Sequence, residues 1–171
     1  PAGPRTVTIA MPPWTTSPPP TYVAQAMLEE ATDLTVRIEE MDVGIAFQAV
    51  AAGDVDLLVD AWMPHLHANY FEAHGDRLDV LGVPLYSGTE LGWAVPAYVP
   101  VDSVAQLNDF VEEFGGRVIG IDPGAGMMRI SQQIIDAYGL RYELVEGSEF
   151  AMLAAVSDAI RAGEWIVFLA W

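Results

Sequence analysis

The sequence predicts an α/β fold in two lobes with a ligand cleft between them, and three observations carry that expectation. Strand-like and helix-like patterns alternate along almost the whole chain, the alternation falls into two sets that part near residues 95–100, and the chemically unusual residues lie where strands stop. Such alternation favours parallel strands joined through helices, and open sheets of that kind bind ligands beyond the carboxyl ends of their strands. The expected division is residues 1–96 for the first lobe and 97–171 for the second.

In the first set, "TVTIA" (6–10) is short and β-branched, as a buried strand should be. "PPWTTSPPP" (12–20) is too rich in proline for anything but a loop, which places Trp14 on that loop. "TYVAQAMLEEA" (21–31) reads as an amphipathic helix with Val23, Met27 and Ala24 on one face and Glu29 and Glu30 closing it, and "LTVRIEEM" (34–41) alternates like a strand. "VGIAFQAVAAG" (43–53) is helical and stops at Gly53, a left-handed cap. "VDLLVDAW" (55–62) is the third strand, and "HLHANYFEAHG" (65–75) a helix after Pro64.

The second set repeats the order. "ELGWAVP" (90–96) is a strand, "SVAQLNDFVEEFG" (103–115) a helix capped by Ser103, and "RVIGID" (117–122) a buried strand. "GMMRISQQIIDAYG" (126–139) is a helix with Ile130, Ile134 and Ile135 inward, and "YELVE" (142–146) a strand. "SEFAMLAAVSDAIRAG" (148–163) is a helix capped by Ser148, and "WIVFLA" (165–170) the last strand.

Composition narrows the function. With 24 acidic and seven basic residues the net charge is -17, a field that repels nucleic acid and anionic lipid. A chain of 171 residues, 52% of them hydrophobic, has ample material for a core. Every basic residue is arginine, and the surplus of carboxylate is one adaptation to a salty habitat. Cys is absent, which rules out disulfides and thiolate metal sites within this chain. No stretch has the length of a membrane span and no export leader is visible, so a soluble chain with any leader already removed is expected.

The residues at the strand ends form a coherent chemical group. Trp62 and His67 follow the third strand, Trp14 lies on the loop after the first, and Trp171 ends the last. Gly124, Gly126 and Met127 join "RVIGID" to its helix. Indole faces attract cations, by on the order of 2 kcal/mol per good desolvated contact, and quaternary ammonium needs them because it has no hydrogen to donate. The free amides of a helix N-terminus suit a carboxylate, glycine lets backbone approach it, and His67 offers a further donor. A cation at one end and a carboxylate at the other describe a betaine. Trp93 and Trp165, inside strand patterns, read as packing residues, and Asp60 as a residue that orients the loop beneath Trp62.

Four stretches resemble a known family: "DVGIAFQAVAAGDVDLLVDAWMPHLH" (42–67), "GIDPGAGMM" (120–128), "SEFAMLAAV" (148–156) and "IVFLAW" (166–171). In this order they are similar to the substrate-binding proteins of glycine betaine and proline betaine ABC importers. The resemblance implies a two-lobed periplasmic-binding-protein-like fold of type II, no catalysis and no cofactor. It also implies a place on the extracytoplasmic or periplasmic face of the membrane, where a permease and its ATPase receive the ligand after hinge closure. By motif position it implies an ammonium box of Trp14, Trp62 and Trp171, and a carboxylate site of His67 with the amides of Gly126 and Met127. Family members continue past the motif that ends at Trp171 and return to the first lobe, so a further segment is expected. The proline-rich loop around Trp14 departs from the family's usual pattern.

Rival readings include choline or carnitine binding and a sensory domain of the same fold. A metal site built on His65, His67 and His74 is disfavoured, because positions two apart on a helix diverge. A serine hydrolase lacks its G-x-S-x-G. The charge itself generates a test: with -17 of net charge, the melting temperature should rise from dilute buffer to molar NaCl as repulsion is screened. A flat response would show the carboxylates to be too dispersed to matter.

Overall fold

Strand β1 (Thr6–Met11) runs down the middle of a three-stranded parallel sheet, flanked by β2 (Thr35–Glu40) and β3 (Leu57–Leu58) in the order β2-β1-β3. The computed structural model describes residues 5–171; residues 1–4, included in the first lobe above, lie outside the described residues. Two compact units divide the chain, Pro1–Ser87 and Gly88–Trp171.

Helix α1 (Pro18–Ala31) connects β1 to β2 and begins inside the stretch expected to be loop. Prolines fit there because the first turn of a helix has no acceptors for its N–H groups, and the ring fixes a helical φ. Its inward face also differs from expectation, since Val23 is 57% and Met27 65% exposed. Ala24 and Leu28 are half-buried, and two polar side chains of the helix bond to the sheet. Gln25 Nε2 donates to the Val36 carbonyl at 3.0 Å, and Glu29 Oε1 accepts from the Val36 N–H at 2.9 Å. Among the described residues β2 is an edge strand, and the two side chains satisfy backbone groups that no further strand there covers. Glu29, exposed as it is, thus has a structural task.

Helix α2 (Val43–Ala52) stops as expected at Gly53, whose φ of 80° closes the helix with bonds from its N–H to the carbonyls of Ala49 and Val50. Val43, Ala46 and Phe47 of α2 are buried together with Ile9 and Ala10 of β1 and Val55. The third strand is far shorter than the eight residues expected. Asp56 donates its N–H to Thr8 O and accepts the Thr8 N–H on its carboxylate; after Leu58 the chain leaves the sheet, and the backbone N–H and carbonyl of Trp62 pair with His67. Helix α3 spans Ala68–His74 and ends in a 3-10 turn at Gly75–Arg77, so His65 and His67 precede the helix rather than ride on it.

The second unit holds a four-stranded sheet in the order β4-β7-β5-β6, made by β4 (Gly92–Ala94), β5 (Arg117–Ile119), β6 (Glu143–Val145) and β7 (Val167–Ala170). Strands β5, β6 and β7 are parallel, whereas β4 runs antiparallel to β7. Helices α4 (Gly126–Tyr138) and α5 (Glu149–Ala162) make the crossovers. Of the three isoleucines expected inward on α4, Ile135 is buried and Ile130 and Ile134 are half-buried. Ser148 caps α5 as expected, its hydroxyl accepting from the Ala151 N–H.

Ser103 also caps its segment, but the result is a 3-10 turn at Val104–Asp109 instead of a helix to residue 115. Tertiary partners claim the carbonyls that an α-helix would use: Tyr142 Oη donates to Leu107 O at 2.8 Å, and Arg141 Nη2 to Asn108 O at 2.7 Å. Trp165 packs on Phe110 and Phe114 with ring centroids 5.4 and 5.2 Å away, in keeping with its reading as a packing residue. Trp93 donates from its indole to Ser131 Oγ of α4.

Gly120, just past β5, is where the backbone is most crowded. A Cβ there would lie 2.5 Å from Met128 Sδ and 2.9 Å from Val145 O. The carbonyl cannot retreat, because it accepts the Gly120 N–H at 2.9 Å. Gly120→Ala should therefore destabilise the chain by roughly 1–3 kcal/mol in chemical denaturation, and a loss within error of zero would show that the turn yields freely.

Candidate functional site

Three of the six residues singled out in the sequence come together in the first unit. The loop after β1 turns tightly, with Trp14 N–H bonded to Pro12 O and Ser17 N–H to Trp14 O, which tucks the Trp14 ring inward at 7% exposure. Its indole stacks on the imidazole of His67, with centroids 6.0 Å apart and planes inclined by 27°. Phe47 of α2 meets the same imidazole edge-on at 5.5 Å, and Tyr70 of α3 at 6.1 Å. His67 is thereby almost fully enclosed, at 1% exposure.

Trp62 joins this cluster through backbone and side chain. Its N–H donates to His67 Nδ1 at 3.0 Å, and its carbonyl accepts the His67 N–H at 3.1 Å, closing a loop that contains the cis Met63–Pro64 peptide. The indole Nε1–H donates to Asp60 Oδ1 at 2.8 Å. The other oxygen of Asp60 accepts the Ser17 hydroxyl, so one carboxylate ties the loop after β1 to the loop after β3. Ser17 is itself held, since its carbonyl accepts both the N–H and the hydroxyl of Thr21.

These contacts set the electrostatics. Burial pushes the His67 imidazole down to about 4, so the ring is neutral at pH 7. With Nδ1 accepting from Trp62, the proton of the neutral ring belongs on Nε2, which makes that atom a donor. Burial pushes the Asp60 carboxyl up, and the hydrogen bonds from Ser17 and Trp62 act against it by favouring the charged form.

In the second unit, the helix α4 begins directly after the turn that follows β5. Gly126 and Met127 are buried and occupy its first turn, where N–H groups have no acceptor within the helix. The turn is drawn in by bonds from Ala125 N to Asp122 O and from Met128 N to Ala125 O, both 3.0 Å. Trp171 follows β7 immediately and is half-buried. Since β5 and β7 are parallel neighbours, Trp171 and the start of α4 share the carboxyl end of one sheet.

Ser17, Phe47 and Tyr70 were not picked out from the sequence. A serine before three prolines is a recognisable N-cap signal, and it marks Ser17 in retrospect. Nothing in sequence spacing pairs Phe47 or Tyr70 with His67. The three histidines do not converge: His65 is exposed, His67 enclosed, and His74 pairs with Arg77 at 3.0 Å. Among the described residues no group of three or more His, Asp or Glu is placed to hold a metal ion.

The enclosed imidazole makes stability depend on pH with a definite sign. Because its folded value near 4 lies below the ordinary 6.5, the unfolded chain takes up a proton first, and stability falls as pH drops from about 6.5 towards 4. Below 4 the loss levels off, at roughly 3 kcal/mol for such a shift. Asp60 works in the opposite direction in acid, because its raised value means that protonation relieves a cost of folding. Thermal melts from pH 7.5 to 4.5 should show a falling midpoint in the wild type and a flatter profile in His67→Gln; matching profiles would show that the ring takes its proton in place.

Comparison with known proteins bears on the whole chain. Residues 5–171 match the family model described as OpuAC, the substrate-binding domain of ABC-type glycine betaine transport systems. The fold superposes on a glycine betaine, L-proline ABC transporter binding protein (ProX) of Borrelia burgdorferi with a TM-score of 0.92 and 33% identity, covering 98% of this chain and 63% of that one. It superposes on lactococcal OpuAC, in a closed form complexed with glycine betaine, with a TM-score of 0.86 and 30% identity over 98% of this chain and 65% of that one. An ABC-transporter choline-binding protein in complex with choline is similar at a TM-score of 0.86 and 25% identity, over 97% of this chain and 59% of that one. The chain thus spans less than two thirds of each of these proteins. An uncharacterised protein, ORF1, of Chromohalobacter salexigens is 30% identical over 115 residues, which are 65% of this chain and 73% of that protein. The resemblance read from four motifs and the periplasmic-binding-protein-like fold are both upheld: this chain belongs to the family of substrate-binding domains of ABC-type glycine betaine transport systems, a transport family rather than a class of enzymes.

Proposed function

We propose that the chain binds a zwitterionic quaternary amine, glycine betaine or a close relative, on the extracytoplasmic face of a membrane and delivers it to an ABC permease driven by an ATPase. Trp14, Trp62 and Trp171 would face the ammonium, and His67 with the amides of Gly126 and Met127 the carboxylate. Family membership supports the ligand class. Among the described residues no helix is long and apolar enough to cross a membrane.

One observation carries the reading of the cation end. The Nε1–H of Trp62 is already given to Asp60, so the indole has its ring face, not its donor, left to offer a ligand. A ring face suits a cation that cannot donate hydrogen bonds. For the carboxylate end, a neutral His67 that carries its proton on Nε2 is a donor at pH 7 without bringing a positive charge that would repel the ammonium.

Choline shares the cation and lacks the carboxylate, which makes the pair a direct test. Trp62→Ala or Trp171→Ala should weaken both ligands by about 2 kcal/mol, or thirtyfold, in calorimetry or fluorescence titration. His67→Ala removes a donor to a charged acceptor, about 1.5–3 kcal/mol, along with the Nδ1 tether of Trp62, and should weaken glycine betaine by a clearly larger factor than choline. Tighter wild-type binding of choline than of betaine, or an unaltered betaine affinity in a folded His67→Ala chain, would overturn the carboxylate assignment.

A further inference from the structure

We propose that Asp60 is the positioning residue of the cation site, holding the Trp62 indole by its N–H and the Trp14 turn through Ser17, and that its charge makes these indole faces more attractive to a cation. The inference rests on the reading of Trp62 as a cation contact given above, and it concerns a residue that need not touch the ligand.

Geometry carries the first half. Asp60 is 6% exposed, and its two oxygens are engaged by donors from two different loops, Nε1 of Trp62 at 2.8 Å and Oγ of Ser17. Ser17 closes the turn that begins at Trp14, through its N–H to the Trp14 carbonyl. A shift of the carboxylate would therefore move both indole-bearing loops. Trp62 has two further tethers, its backbone N–H on His67 Nδ1 and its carbonyl on the His67 N–H, which fix where the residue sits but not how its ring is turned.

Charge carries the second half. The partners of the Asp60 carboxylate are the Trp62 indole N–H and the Ser17 hydroxyl, both uncharged, so no ion pair neutralises it. A buried carboxylate met only by neutral donors costs stability, and a neutral amide could occupy the same place: its oxygen would accept from Trp62 and its NH2 would donate to a rotated Ser17 hydroxyl. What an amide could not supply is negative potential. A carboxylate bonded to an indole N–H draws positive density toward itself at the ring edge, leaving the face more negative, and its own charge adds an attraction that a low-dielectric surrounding preserves.

Glycine betaine has a carbon isostere, 3,3-dimethylbutanoate, with the same shape and carboxylate and no positive charge. Calorimetry with both ligands on the wild type, Asp60→Asn, Ser17→Ala and Trp62→Ala separates position from charge. Asp60→Asn should weaken betaine about tenfold and leave the isostere unchanged or slightly tighter, because only the charged ligand feels the lost potential. Ser17→Ala keeps the carboxylate and cuts its tie to the Trp14 turn, so both ligands should weaken by the same factor. The Trp62 indole N–H resonance, far downfield on a carboxylate, should move upfield in Asp60→Asn and stay in place in Ser17→Ala. Equal loss of both ligands in Asp60→Asn, no loss of either, or a changed preference in Ser17→Ala would overturn the role of Asp60 while Trp62→Ala still weakens betaine. Should Trp62→Ala leave betaine affinity unaltered, the cation site itself is misassigned and this inference falls with it.

Discussion

A parallel strand cannot turn straight back to its neighbour; the chain must travel the length of the sheet again, usually through a helix, before the next strand begins. Every strand of such a sheet consequently releases its loop at the same edge. That constraint decides where chemistry can gather here. In the first unit, β1 and β3 are adjacent, and the loops that leave them carry Trp14, Ser17, Asp60, Trp62 and His67. In the second, β5 and β7 are adjacent, and beyond them lie the start of α4 and Trp171. Residues dozens of positions apart become neighbours because the sheet leaves their loops no other exit.

What those loops then do is trade one kind of polar satisfaction for another. Two titratable groups sit almost wholly out of water in the first unit, and neither is held by an opposite charge. His67 remains neutral because burial makes protonation costly, and Asp60, whose carboxyl burial pushes up, is met by two neutral donors that act against that push. The aromatic surroundings from Trp14, Phe47 and Tyr70 supply packing and exclude water, whereas the few hydrogen bonds orient the rings. Rigidity and electrostatic character thus come from the same handful of contacts.

Much of this was legible in the sequence, and the exceptions have physical causes. Binary patterns located every strand and nearly every helix, since periodicity reports which face is buried. Periodicity does not report hydrogen-bond partners. The segment after Ser103 carries a helical pattern, yet Tyr142 and Arg141 take its carbonyls and leave a 3-10 turn. Likewise α1 was given an apolar inner face at Val23 and Met27, when the available surface was an edge strand whose unpaired backbone called for Gln25 and Glu29. The direction of β4 was also invisible, because alternation is the same in either sense. Within the candidate site, unusual residues at strand ends were conspicuous, but the link from Ser17 to Asp60 spans 43 positions and has no local signature.

The way α1 treats the edge of β2 has a consequence for how copies of this chain behave together. An open strand edge is a template on which a second polypeptide can add itself, rung by rung, and such growth is the usual start of fibrous association. At Val36 both rungs are occupied by side chains from the same molecule, at 3.0 and 2.9 Å. A newcomer would have to displace an amide and a carboxylate before gaining its first pair of bonds, on a surface whose net charge already holds like molecules apart. Crowded solutions are where that matters most, and there the side chains of one helix act as a guard on the sheet it never joins.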